Sequence, residues 1–177
     1  MTDSKEIWIE TGYKIFAQTG KSGLKIDLLA KKVGISKSSF YHHFVDVDIF
    51  TDHLLKYHLK QSYLIADKEQ NAKNIDPELI DILVYHKTDL LFNRQLRINR
   101  DNEAYAETLK LSNQIIGNSF VMLWVKDLKM ELTIKQLEGL FELGLENFYL
   151  QITQDNLNAR WLSEYFTNLR QIAKNFT

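Results

Sequence analysis

With 177 residues, 45% of them hydrophobic and 25% charged, the chain has the apolar content for one substantial core, or for a small unit resting on a larger one. It contains no cysteine, which excludes disulfides and thiolate metal sites, and no apolar run reaches the length of a membrane span. The N-terminus MTDSKEIWIE opens with charge rather than with a basic region and an apolar stretch, so no secretion signal is expected and the cytoplasm is the expected compartment. The formal net charge of −1 argues at first against a nucleic-acid partner, but its distribution does not. Between Lys21 and Val45 there are five lysines (Lys21, Lys25, Lys31, Lys32, Lys37) and one acid, Asp27.

Seven glycines, one proline and no alternating pattern leave helices as the periodic element throughout, so an all-α fold is predicted. Ile7, Trp8, Thr11, Ile15 and Phe16 mark a first amphipathic helix that stops near Thr19-Gly20. From Leu24 to Phe44, LKIDLLAKKVGISKSSFYHHF reads as two short helices joined by a tight turn. Leu29, Ala30, Val33, Ile35 and Phe40 fall where the pair must touch. Gly34 falls in the turn, where a left-handed residue ends a helix without steric cost, and Ser36 is placed to cap the next one. That spacing describes a helix-turn-helix, whose second helix enters the DNA major groove.

Asp46 is the expected N-cap of a long helix through Phe50, Leu54, Tyr57 and Leu64, running into the polar stretch Asp67–Asn74, a candidate boundary. Asp76-Pro77-Glu78 reads as a helix start with Asp76 as the capping acid, continued by Ile80, Leu83, Val84, Leu90, Leu91 and Phe92. A polar, basic piece, Asn93–Asn102, is expected to interrupt before a helix over about 103–126. Thr133 and Gln136 have capping-box spacing ahead of Leu137, Leu140, Phe141, Leu145 and Phe148. A final helix carries Trp161, Leu162, Tyr165, Phe166, Leu169 and Ile172.

Phe16, Gly20, Leu29-Ala30, Gly34-Ile35-Ser36-Lys37 and Phe40-Tyr41-His42-His43-Phe44 together resemble the N-terminal DNA-binding domain of the tetracycline-repressor (TetR) family. The motif match covers about the first quarter of the chain. The resemblance implies an all-α protein with an N-terminal three-helix DNA-binding unit (residues 1–47) and a C-terminal helical ligand-binding and dimerisation bundle (residues 48–177). It further implies a homodimeric regulator, usually a ligand-released repressor, paired through its last two helices. Two positions depart from the family pattern. Lys25 stands where a Thr or Ser usually caps the second helix, and Val47 where a Lys usually opens the fourth. Both usual residues commonly touch DNA phosphates.

On the predicted recognition helix, Phe40 and Phe44 should face the core, leaving Lys37, Ser38, Ser39, Tyr41, His42 and His43 for DNA. Lys37 suits a phosphate or a guanine edge, the serine hydroxyls suit phosphates or bases, and Tyr41 and the histidines can donate to phosphates. With Ser36, and with Lys25 and Ile26 at the start of the preceding helix, they form the predicted DNA-binding set. The helix holds no Arg, Asn or Gln, so base recognition should lean on Lys37, nonpolar contacts and DNA shape.

His42, His43, Asp46, Asp48, Asp52 and His53 crowd into one short stretch and define a rival metal-binding reading. Adjacent histidines on a helix point about 100° apart, and capping explains Asp46 better, so no metal or other cofactor is predicted. No phosphate loop, His-Glu-x-x-His or nucleophile elbow is present, and no catalysis is expected. Tyr85, His86, Tyr105, Asn113, Gln114, Phe120, Met122 and Trp124 would suit either a pocket for an unidentified small-molecule effector or an ordinary core. Gly139 and Gly144 beside Phe141, Leu145 and Phe148 would let another helix approach, from a second copy or from the same chain. The expected partner is a double-stranded DNA operator, with no membrane. The alternative is a protein-binding module on the same fold that has lost DNA binding.

Overall fold

A computed structural model describes residues 4–128 and 133–174, except the side chains at 118–122, 127, 128, 134, 137, 138, 173 and 174. The predicted Phe120, Met122 and Leu137 contacts therefore lie outside the described residues. Among these residues every regular element is a helix. Helix α1 (Ser4–Thr19) is followed by α2 (Ile26–Val33) and α3 (Lys37–Phe44), then the long α4 (Val47–Asn71). A single wide turn, Ile75–Leu79, leads into α5 (Ile80–Tyr85) and α6 (Lys87–Ile98). Helices α7 (Glu103–Leu128), α8 (Ile134–Gln151) and α9 (Ala159–Lys174) complete the chain.

Local chemistry explains most of these boundaries. Gly20 leaves α1 at φ 67°, and its N–H donates to Phe16 O at 2.8 Å. Gly34 ends α2 in the left-handed conformation expected of it, φ 74°. Asp46 caps α4, its carboxylate accepting Ile49 N–H at 2.8 Å. The Thr133–Gln136 capping box is complete in both directions.

Four local expectations are corrected. Ser36 has N-cap backbone geometry, but its hydroxyl makes no capping bond; its carbonyl accepts Ser39 N–H at 3.0 Å instead, and the helix start is exposed enough for water to satisfy the remaining N–H groups. The cap ahead of α5 is Asn74, accepting Glu78 N–H at 3.2 Å; Asp76 has extended geometry and accepts from Ser163 of α9. The helix predicted to run from Glu78 through Phe92 breaks at His86, φ −91° and ψ 23°. The expected interruption at Asn93–Asn102 begins only after Ile98. Asn93 and Arg97 are helical and buried, because α6 lies inside the bundle against α1, α7 and α8.

The helix-turn-helix unit packs on α1 and α4. Trp8, Phe16, Leu29, Phe40, Phe44, Phe50 and Leu54 are fully buried. The rings interlock: Trp8 meets Phe40 edge-on with centroids 5.4 Å apart, and Phe44 meets Phe50 at 4.8 Å. This core continues through Tyr13, which stacks on Phe92 at 4.3 Å, into the larger bundle. Helix α4 bridges the two regions and packs most extensively on α7. Its buried stripe is Leu55, His58, Ser62, Ile65 and Glu69, spaced 3, 4, 3, 4, while Leu64 is exposed.

Candidate functional site

Burial of Phe40 and Phe44 fixes the rotation of α3 and so decides which side chains face solvent. Lys25, Ser36, Lys37, Ser38, Tyr41 and His42 are exposed; Ile26, Ser39 and His43 are half-buried. Tyr41 is 53% exposed despite its size, a ring held outward on a rigid helix. The three half-buried residues have internal ties. Ile26 packs on the core, Ser39 Oγ accepts from Trp8 Nε1 at 3.4 Å, and His43 Nε2 lies 2.8 Å from Ser4 Oγ.

Lys37 is not a lone cation. Its ammonium pairs with the Asp27 carboxylate on α2, which raises the lysine pKa and keeps it charged. The contact staples α2 to α3 across the turn. Lys21 is likewise bound to Asp48 at 2.7 Å. Lys25, Lys31 and Lys32 are exposed around the same end of the molecule. Val47 is half-buried against the core, and Lys25 makes no side-chain cap.

At the end of α3, Val45 has φ 62° and ψ −57°, and Asp46 N–H donates across it to Phe44 O at 2.5 Å. This is a three-residue γ-turn, a strained conformation for a β-branched residue. It turns the chain abruptly from α3 into α4.

Behind the recognition surface lies a buried polar chain that sequence reasoning missed. Tyr13 of α1 donates to Asp89 Oδ1 at 2.8 Å, so its oxygen accepts from the Nδ1–H of His58 on α4 at 2.7 Å. Asp89 Oδ2 accepts from His86 Nδ1 at 2.8 Å, and His86 Nε2 accepts from Lys68 Nζ at 2.9 Å. On the other side His58 Nε2 lies 3.3 Å from Ser112 Oγ, which also accepts from Asn93 at 3.1 Å. Burial lowers the His58 pKa to about 4, with Asp89 opposing, so the ring is neutral near pH 7. Burial first, and then Asp89, push the Tyr13 pKa well up. The chain ties α1, α4, α6 and α7 together.

Next to it, α4, α5, α6, α7, α8 and α9 enclose a cavity walled by Leu83, Leu90, Trp124, Phe141, Phe148 and Tyr149, with Asn113 and Tyr165 as neutral polar groups. Of the residues predicted for a pocket, Asn113 and Trp124 line it. Tyr85 is exposed, Tyr105 packs edge-on against Phe16, and His86 belongs to the polar chain. Glu69 also lines the cavity, 2% exposed, and neither carboxylate oxygen has a hydrogen-bond partner among the described residues. Burial raises its pKa to about 8. By polarity alone Glu69 falls in the Asp67–Asn74 boundary stretch. The 3, 4 spacing from Ile65 and Ser62 was the signal that it lies on the buried stripe.

The described residues hold no group of three or more His, Asp or Glu side chains placed to bind a metal ion. Asp46 caps α4, Asp48 pairs with Lys21 and His43 meets Ser4. No helix among the described residues is long and apolar enough to cross a membrane.

An all-helical chain that presents a short, polar-faced helix from a helix-turn-helix, with a larger helical bundle behind it, is a helix-turn-helix protein. Residues 9–46 match the family of bacterial regulatory proteins described as the tetR family. Over nearly its whole length the chain is similar in structure to a transcriptional regulator of the TerR/AcrR family from Aquifex aeolicus VF5, at TM-score 0.61 and 17% identity, covering 98% of this chain and 99% of the other. It is also similar to GusR from Salmonella enterica, at TM-score 0.59 and 15% identity, covering 97% and 94%. No curated protein matches it. The N-terminal segment thus matches the tetR family, and the chain as a whole shares the fold of these solved structures.

Proposed function

We propose that the chain is a sequence-specific transcriptional repressor of the cytoplasm that binds a palindromic operator as a homodimer and is released by a small-molecule effector. The observation that carries this reading is the outward face of α3. Ser36, Lys37, Ser38, Tyr41 and His42 are exposed on a helix whose rotation is locked by two fully buried phenylalanines. In this reading residues 1–47 are the DNA-binding head and residues 48–177 the sensing and dimerisation body. Lys25, Lys37, Tyr41 and His42 meet phosphates or base edges, and Ser36 and Ser38 let the backbone approach. Ile26, Ser39 and His43, which pack inward or bond to α1, hold that surface in place and reach DNA only with their outer atoms.

Dimerisation is supported by the outer face of α8. Leu143 and Leu150 lie seven residues apart and are more than two-thirds exposed, and a side chain at Gly139 would meet nothing within 4 Å. A second copy seated there covers an apolar stripe that the monomer leaves in water. Gly144, by contrast, serves contacts within the chain, with Leu169 nearby and Tyr165 donating to its carbonyl. An effector that favours one tilt of α4 alters the spacing of the two heads, and must therefore bind free and operator-bound protein with different affinity.

Selection from a pool of random duplexes by wild type, Lys37→Ala and Tyr41→Ala tests the proposal. Enrichment of a palindrome by wild type, lost in both variants, supports it. Failure of wild type to enrich any sequence rejects it in favour of the protein-binding module, a reading that the Lys37–Asp27 pair and Val47 would suit.

A further inference from the structure

We propose that the effector is a lipophilic cation, a hydrophobic ammonium or phosphonium, seated in the aromatic cavity with its positive charge against Glu69. This rests on the effector-controlled reading above and specifies the chemistry of the same cavity. A carboxylate buried in apolar surroundings with neither oxygen bonded is costly, and it is not needed to fill a core. It becomes favourable when a cation desolvates against it. The walls are suited to the same occupant, because Trp124, Phe148 and Tyr149 offer π-faces that attract positive charge. A metal ion does not fit: Glu69 is the sole carboxylate among the described lining residues, and a hard cation needs several oxygens. An anionic effector finds no cation to pair with among the described lining residues.

The groups that face Glu69 leave it as the group that titrates near neutral pH. From α8 comes Tyr149 and from α9 Tyr165, whose hydroxyls burial pushes up, that of Tyr165 to about 12. From α7 comes the neutral Asn113, and α5 and α6 contribute Leu83 and Leu90. Arg97 lies over the Tyr149 ring at 4.8 Å and pairs with Glu146 through one nitrogen, while its Nε and other terminal nitrogen have no hydrogen-bond partner among the described residues; it is not one of the lining residues. Without a cation beside it Glu69 is therefore protonated near pH 7, and a bound cation expels that proton. Placement also supplies a route to the heads. Glu69 sits in the last turn of α4, whose first turn is capped by Asp46 directly after α3.

The test uses the full chain without DNA, so its outcome is independent of whether an operator is found. Three probes of similar shape are titrated by calorimetry at pH 7: tetraphenylphosphonium, neutral triphenylphosphine oxide and tetraphenylborate. Wild type should bind the phosphonium at least tenfold more tightly than the other two and release close to one proton per cation, read from buffers of different ionisation enthalpy. Glu69→Gln, an uncharged variant of the same shape, should lose at least tenfold in phosphonium affinity and release no proton, while retaining its helical circular dichroism. The proposal is overturned by failure of wild type to bind the phosphonium. It is overturned equally by phosphine oxide or borate binding as tightly as the cation, or by Glu69→Gln binding it as wild type does.

Discussion

Two buried titratable groups on one face of α4 should make the stability of this protein depend on pH in opposite senses, and substitution should separate them. His58 has an ordinary pKa of 6.5 and a folded value of about 4, so the unfolded chain binds its proton first. Its contribution is intact above pH 6.5 and is lost as pH falls towards 4, which amounts to about 2 kcal/mol between pH 7 and pH 5. Glu69 runs the other way. Its ordinary value is 4.5 and its folded value about 8, so the unfolded chain ionises first and stability is lost as pH rises from 4.5 to 8. Going from pH 7 down to pH 5 therefore restores about 2 to 3 kcal/mol from Glu69. In wild type the two nearly cancel.

Denaturant unfolding at both pH values and fixed protein concentration reads this directly. Relative to wild type, Glu69→Gln should lose an additional 2 to 3 kcal/mol or so between pH 7 and pH 5. His58→Asn, which can keep a donor towards the Tyr13 oxygen, should gain about 2 kcal/mol over the same interval. Each comparison is made between two pH values within one variant, so a uniform loss of stability does not obscure it. If both variants follow the wild-type pH dependence, the assignment of buried neutral states to His58 and Glu69 is wrong.

Three other outcomes are expected. Val45→Gly should stabilise the protein by about 1 kcal/mol in the same unfolding assay, because relief of backbone strain of about 1–3 kcal/mol exceeds the added entropy of a glycine in the unfolded chain, and Val45 is exposed and loses little packing. Asp27→Asn frees Lys37 and removes a negative charge from the DNA-facing surface; operator affinity by fluorescence anisotropy should rise severalfold per head. Leu143→Glu with Leu150→Glu should convert the proposed dimer to monomer in sedimentation velocity and leave the helical content intact; an unchanged sedimentation coefficient would move the interface away from α8.

The helix-turn-helix was legible because its constraints are local. Leu29, Gly34, Phe40 and Phe44 each have a role set by residues three to six positions away, and apolar spacing alone identifies the buried face. The same reasoning failed wherever a polar side chain turned inward. Asn93 and Arg97 have the polarity of solvent-facing residues, but α6 is enclosed by other helices and both are buried. His58, Asp89 and Tyr13 lie 31 to 76 positions apart and meet only through tertiary packing, which no periodicity reveals. The Lys37–Asp27 pair joins residues ten apart across a turn; spacing gave the turn but not the pairing. Asn74 displaced Asp76 as a cap because the chain reaches helical geometry only after an extended residue, a choice made by backbone conformation rather than by residue type.

The central claim, that the face of α3 meets the DNA backbone from two linked heads, is tested most directly by the salt dependence of affinity for the selected duplex. Two heads that each neutralise at least two phosphates should give a slope of log K against log salt of about −4 or steeper. Lys37→Ala should make the dimer's slope shallower by about one unit per head. A slope near zero with wild type would contradict the phosphate-contacting face and leave the exposed surface of α3 to a protein partner.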